Sequence, residues 1–204
     1  MPAARADTSP MAGAYLTNQL LIAMPTLADP NFAQTVTLIC EHTDKGALGI
    51  VLNRPLEMTL GEVLDQLSFE CTDADLRAQP VLRGGPVQPD RGFVLHHPDA
   101  LPGGPADGHW DSTLAVSPRL HVTTSRDVLA AMAAGRGPSP AAIALGYAGW
   151  DAGQLEEEIR SNAWLNVPVD ESILFGTPYE ARWHAAARLI GIDLGRLSLQ
   201  AGHA

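Results

Sequence analysis

The stretch from Thr35 to Leu52 constrains the fold more than any other. Thr35-Val-Thr-Leu-Ile-Cys-Glu41 alternates Thr37 and Ile39 against Val36, Leu38 and Cys40 and is dense in β-branched residues. Branched side chains suit a pleated surface, so this reads as a strand. His42-Thr-Asp-Lys-Gly46 is turn chemistry, and Leu48-Gly-Ile-Val-Leu52 resumes the apolar run. Together they read as a β-hairpin. An early antiparallel pair argues against a repeating βαβ plan, in which parallel strands need crossovers.

The remaining chain interleaves strands and helices irregularly. Gln19 to Met24 is an apolar run stopped by Pro25 and reads as a buried strand. Thr59 with Glu62 forms a capping box, which predicts a helix to about Leu67. Pro80 to Leu82 and Gly92 to His96 read as short strands around a Gly-Gly-Pro turn, and Leu120 to Thr124 as another. Ser125 is placed to cap a helix through Ala134 that Gly135 ends. Ala141 to Leu145 reads as a small strand, and Asp151 with Gln154 opens a helix to about Trp164. Thr177-Pro-Tyr-Glu180 opens a last helix, carrying Trp183, Ala187 and Ile190 and stopping at Gly191. Residues 1–14 read as a loose tail and 97–109 as a Pro/Gly-rich loop. With 204 residues and no fixed-period repeat, the expectation is one α+β domain over 15–204.

Composition excludes several functions. Aromatic content is only 5%, so the core must rest on Leu, Ile, Val and Ala. The formal charge is -10, Lys45 is the single lysine, and no Lys/Arg run exists. Direct DNA binding, which needs a basic patch, is therefore disfavoured, as is an anionic membrane surface. No apolar stretch approaches the roughly 18 residues of a membrane span, and Met1 to Pro10 lacks a secretory apolar region. Cys40 and Cys71 lie far apart and read as buried thiols, which points to a cytoplasmic setting.

Several segments carry a family resemblance. They are Met24-Pro25 with Asp29-Pro-Asn-Phe32, Cys40-Glu-His42 with Gly46 to Pro55, Gly84-Gly-Pro-Val87, and Gly92 to His96. Leu145-Gly-Tyr-Ala-Gly-Trp150 through Asn162-Ala-Trp164 and the terminal Gly202-His-Ala204 complete the set. In number and order these resemble the AlgH/YqgE family of small bacterial proteins, over roughly Tyr15 to Ala204. The resemblance implies a bifurcated mixed β-sheet with a small barrel-like part surrounded by helices. It implies no assigned activity and no cofactor. One branch is labelled a transcriptional regulator of alginate production.

The standard catalytic motifs are missing. There is no P-loop, no G-x-G-x-x-G between strand and helix, no G-x-S-x-G elbow and no H-E-x-x-H. His96, His97, Asp99, Asp107 and His109 crowd one stretch, but adjacent strand histidines point to opposite faces, so no metal is expected. Cys40 and His42 would share a strand face as a nucleophile pair, yet no orienting third group accompanies them.

Two constellations remain as candidate sites. Asn53-Arg54-Pro55 and Arg83-Gly84-Gly85-Pro86 each set an arginine beside a bend. Glycines permit close backbone approach to an anion and arginines supply planar donors, although tight turns and ion pairs use the same residues. Gln154, Glu158 and Asn162 recur at helical spacing between Trp150 and Trp164, where they either line a groove or brace a loop. These features point to a non-enzymatic binding or regulatory protein acting on a protein partner or small anionic ligand. The rival reading is an enzyme whose Arg54, Arg83, His96 and Glu158 converge in one pocket, and the third is direct DNA binding.

Overall fold

The computed structural model describes residues 15–98 and 110–200, so residues 1–14, 99–109 of the Pro/Gly-rich loop, and 201–204 with the terminal Gly202-His-Ala204 lie outside the described residues. The hairpin forms as its pattern requires. β2 (Val36–Thr43) and β3 (Gly46–Val51) pair antiparallel around Asp44-Lys45, with Thr43 opposite Gly46. β1 (Gln19–Ala23) pairs with β2 on its other edge. The register of β2 shifts between Ile39 and Glu41, so Cys40 is the extra residue of a bulge.

β4 (Pro55–Thr59) leads into α1 (Leu60–Gln66), whose capping box forms: the Thr59 side chain accepts from Glu62 N, and Glu62 accepts from Thr59 N at 2.7 Å. A short α2 (Ala74–Arg77) precedes β5 (Pro80–Arg83) and the long β6 (Val87–His96). β7 (Thr113–Ser117) and β8 (Leu120–Thr123) form a second hairpin, followed by α3 (Arg126–Ala133). β9 (Ala141–Asp151) is eleven residues, twice the length its apolar run suggests. Then come α4 (Gln154–Arg160), β10 (Trp164–Pro168), a π-turn over Ser172–Gly176, a 3-10 turn over Tyr179–Ala181, α5 (Arg182–Arg188) and α6 (Leu194–Gln200).

The sheet runs β10-β1-β2-β3-β9-β6-β8-β7 and forks at β9. One edge of β9 carries β6 throughout, from His96 opposite Ala141 to Val87 opposite Tyr147. The other edge is shared: β5 takes Ala144 and Leu145 in parallel, and β3 takes Ala148 to Asp151 antiparallel. This makes the sheet mixed and bifurcated, and it curls as a half-barrel. Both faces of its central strands are covered. Leu38 and Leu20 point into a core with Trp183 and Ala187 of α5, while Ile39 and Leu21 point the other way, toward Leu155, Trp150 and Trp164. A third cluster seats α1 and α3, through Leu64, Val128 and Met132, on Val81, Val94 and Ile143.

Three helices depart from the sequence reading at their ends. The helix expected to open at Asp151 and reach Trp164 instead starts after Gly153, with Asp151 still in β9, and stops at Arg160, because Asn162 takes a left-handed conformation (φ 57°). Asn162 N donates to Ile159 O and Ala163 N to Glu158 O, which is a Schellman closure with asparagine in the glycine position. The chain then re-enters the sheet, with Trp164 opposite Ala23. Ser125 stands at its expected N-cap but makes no cap bond; its hydroxyl meets Asp111 O and the Asp127 carboxylate, and Asp127 Oδ1 accepts from Val128 N at 2.9 Å. Thr177 likewise turns back, donating to Ser172 O at 2.9 Å, so the helix expected there starts with the 3-10 turn before α5, and the sequence reading missed α6 beyond it.

Candidate functional site

The two arginine bends touch through their backbones, with Arg83 N donating to Arg54 O at 2.7 Å. Their side chains do different things. Arg54 is half-buried and Nη2 donates to Ala33 O at 2.7 Å, whereas Arg83 points into solvent. Asn53 is fully used: Oδ1 accepts from Val36 N and Nδ2 donates to Gln34 O, both at 2.9 Å. Asn53 and Arg54 line a recess of about 440 Å³ with Glu180, Trp183 and His184.

The neighbouring glycines serve the sheet fork. A Cβ on Gly84 would lie 2.2 Å from Gly146 O, and one on Gly85 (φ 158°) would lie 2.1 Å from the Tyr147 carbonyl carbon. Gly84 N donates to Leu145 O while Gly84 O accepts from Val51 N, so this residue ties β9 to the end of β3. The close approach expected at Gly84 and Gly85 is real, but the chain's own backbone fills it, which removes the anion cradle proposed there.

Glu158 sits at the centre of the second constellation. Oε2 accepts from both indoles, Trp150 Nε1 at 2.9 Å and Trp164 Nε1 at 2.8 Å, and Oε1 accepts from Gln154 Nε2 at 2.9 Å. Gln154 Oε1 in turn accepts from Asp151 N at 3.0 Å. Both tryptophans are buried, and Phe32 stacks on Trp150 and meets Trp164 edge-on. The row therefore clamps the loop carrying Phe32, which Asn53 and Arg54 hold from Ala33 and Gln34. The two constellations brace one loop from opposite ends and do not border a common recess. Asn162 is outside the clamp and acts as the helix terminator.

His96 is fully buried and belongs to a third group. Its Nδ1 donates to His97 O at 2.7 Å, so Nε2 accepts from the Thr123 hydroxyl at 2.8 Å. Thr123 Oγ1 lies 2.7 Å from Thr113 Oγ1, whose proton goes to Trp110 O at 2.7 Å. Four contacts thus share three protons when the imidazole is neutral. Burial holds the His96 pKa below the usual histidine value, against the opposing pull of the His97 carbonyl, and nearby His121 and His97 add to the lowering. The convergence of Arg54, Arg83, His96 and Glu158 that the rival enzyme reading predicts does not occur: Arg54 lines the recess with Glu180, Arg83 is exposed, and His96 and Glu158 are held in separate networks.

Sequence reasoning missed His42 as a scaffold residue. Leu16 N donates to its Nδ1 at 3.0 Å, so Nε2 carries the proton toward Glu156 Oε1 at 3.1 Å. Cys40 stays in the core of Val36 and Leu38, and the bulge puts His42 on the other face beside Leu16 and Glu156, which corrects the expectation that residues 40 and 42 share a face. Burial pushes the Cys40 thiol pKa far up, which leaves it inert as a nucleophile. Cys71, expected to be buried, is partly exposed. Among the described residues no group of three or more His, Cys, Asp or Glu side chains could hold a metal ion; Asp99, Asp107 and His109 lie outside them. No helix among them is long and apolar enough to cross a membrane.

Fold and site together define a small α+β domain with a forked sheet, whose best-placed polar groups serve as internal braces. The chain belongs to the AlgH-like family, DUF179, whose model matches residues 20–195. It is 54% identical over 189 residues to a UPF0301 protein of Xanthomonas campestris, covering 93% of this chain and 96% of that one. It is 53% identical over 193 residues to a UPF0301 protein of Thioalkalivibrio sulfidiphilus, covering 95% and 99%. The solution structure of the AlgH protein from Pseudomonas aeruginosa matches with a TM-score of 0.74 at 50% identity, covering 98% of this chain and all of that one. A Corynebacterium diphtheriae crystal structure shares the fold, with a TM-score of 0.67 at 20% identity over 90% of this chain and 91% of that one.

Proposed function

We propose that this is a non-enzymatic binding or regulatory protein, acting in the cytoplasm through a protein partner or a small anionic ligand. One observation carries the reading: Glu158, His96 and His42, the groups best suited to acid–base work in the candidate constellations, already have internal partners on their polar atoms. A general base must reach a substrate proton, and these side chains face their own scaffold. The two free cysteines fit a reducing compartment.

Direct DNA contact is not part of this reading. Arg77, Arg119, Arg160 and Arg196 each pair with a carboxylate, on Asp65, Glu171, Glu157 and Asp193. Such pairing weakens the local positive potential that phosphates require. The test is a turnover assay of purified protein with p-nitrophenyl esters and phosphates. The expected rate equals that of buffer, and turnover abolished by Glu158→Gln or His96→Gln overturns the proposal.

A further inference from the structure

A cavity of about 480 Å³ opens between α2, the connection from α3 into β9, and the π-turn before α5. That volume lies in the range of small-molecule sites, about 300–1,000 Å³. Its walls are mixed: Leu76, Met132, Ile143, Leu174 and Phe175 supply the apolar part, beside a polar part of similar extent. One arginine lines it, Arg182, and only 3% of its surface is exposed.

A guanidinium carries five N–H donors. Arg182 Nε donates to Thr177 O at 2.9 Å and Nη1 to Leu52 O at 2.6 Å, with the guanidinium 4.4 Å from the centre of the Tyr179 ring. Its Nη2 makes no hydrogen bond among the described residues, and none of the ion pairs among them includes Arg182. Buried charges in proteins are paired as a rule, because desolvation penalises a lone ion. Two carbonyls and an aromatic face compensate part of that penalty, and no carboxylate among the described residues pairs with the guanidinium.

We propose that this cavity binds a small monocarboxylate with an apolar body, its carboxylate taking the unused donors of Arg182. The planar fork of arginine matches carboxylate geometry in pairs of parallel hydrogen bonds. The apolar part of the wall, Met132, Ile143, Leu174 and Phe175, offers contact to a compact hydrocarbon body. Asp73 and Asp75 also line the cavity and oppose an anion, so a dianion is penalised about twice as much as a monoanion, which Arg182 alone must hold. The site rests on the binding reading above but uses none of the residues that carried it.

The test titrates 15N-labelled full-length protein with sodium octanoate, sodium benzoate and sodium phosphate at constant ionic strength. Octanoate and benzoate are expected to give saturable amide shifts at Ala142, Ile143 and Leu174, with Kd about 1 mM or tighter, and phosphate none. Gln79→Trp places an indole in the cavity wall away from Arg182 and is expected to weaken binding at least about tenfold. Arg182→Lys keeps the charge, loses the fork and is expected to do the same. The same spectra report whether each variant is folded, and the wild-type comparison with phosphate decides without any variant. No saturable shift with either acid, an equal response to phosphate, or undiminished binding by folded Gln79→Trp overturns the proposal. Turnover of p-nitrophenyl substrates would overturn the non-enzymatic reading while leaving this titration unaffected.

Discussion

Replacing Glu158 with alanine tests whether the indole clamp is structural. The substitution leaves two buried tryptophan N–H groups without their acceptor. Each orphaned buried donor costs about 1–3 kcal/mol. Glu158 is half-buried, so water recovers part of that loss, and Gln154 is exposed and finds solvent at once. The expected net destabilisation is about 3 kcal/mol. For a domain of this size each kcal/mol lowers Tm by about 2–4 °C, which gives a drop of about 6–12 °C. Glu158→Gln should cost less, about 1–2 kcal/mol, because the amide oxygen still accepts from the indoles. Its NH₂ then faces the Gln154 NH₂, and Gln154 cannot turn over without losing Asp151 N. Thermal and urea denaturation measure both losses, and the indole N–H resonances of Trp150 and Trp164 report the bond directly. A loss below about 0.5 kcal/mol for the alanine variant, with both resonances unmoved, refutes the clamp.

Other perturbations separate fork, imidazole and thiol. Gly85→Ala forces a methyl into the Tyr147 carbonyl and should cost more than about 4 kcal/mol, while Gly153→Ala, with φ 77° and open space around it, should cost only about 1 kcal/mol; comparable losses in denaturation would contradict this. Because the folded-state pKa of His96 lies below its unfolded value, the unfolded chain binds more protons between the two. Stability should therefore fall as pH drops below about 6.5, and His96→Gln should flatten that limb of the urea-midpoint profile. Ellman's reagent should titrate one thiol in the native protein, Cys71, and the second only in denaturant, since Cys40 is buried in the core. Rapid reaction of both would place Cys40 elsewhere.

Local chemistry was legible in the sequence wherever neighbours decide the outcome. The hairpin at Asp44-Lys45 and the capping box at Thr59 need only residues a few positions apart. β9 was read at half its length because Tyr147, Gly149 and Asp151 break the apolar run, and it is pairing with strands distant in sequence, β6 at Tyr147 and β3 at Gly149 and Asp151, that keeps them extended. Asn162 ends its helix by adopting φ 57°, a choice that helical periodicity cannot register. The polar residues flagged as site candidates stand out because they combine bends with charge, and scaffold braces combine them too. Arg182 escaped notice because its isolation is a property of packing: its carbonyl partners lie at Thr177 and at Leu52, and the second is 130 positions away.

β9 also governs how the molecule can open. A strand bonded along one edge to a single neighbour and along the other to two cannot detach from either half without exposing amides of both. Local fluctuations that release the β1–β2–β3 hairpin must stop at Ala148, and those that release β6 and β8 must stop at Tyr147. Amide protons from Ala142 to Ala148 are expected to exchange most slowly, and the Asp44-Lys45 tip fastest, in hydrogen-exchange measurements. The two halves of the domain should melt as one cooperative unit.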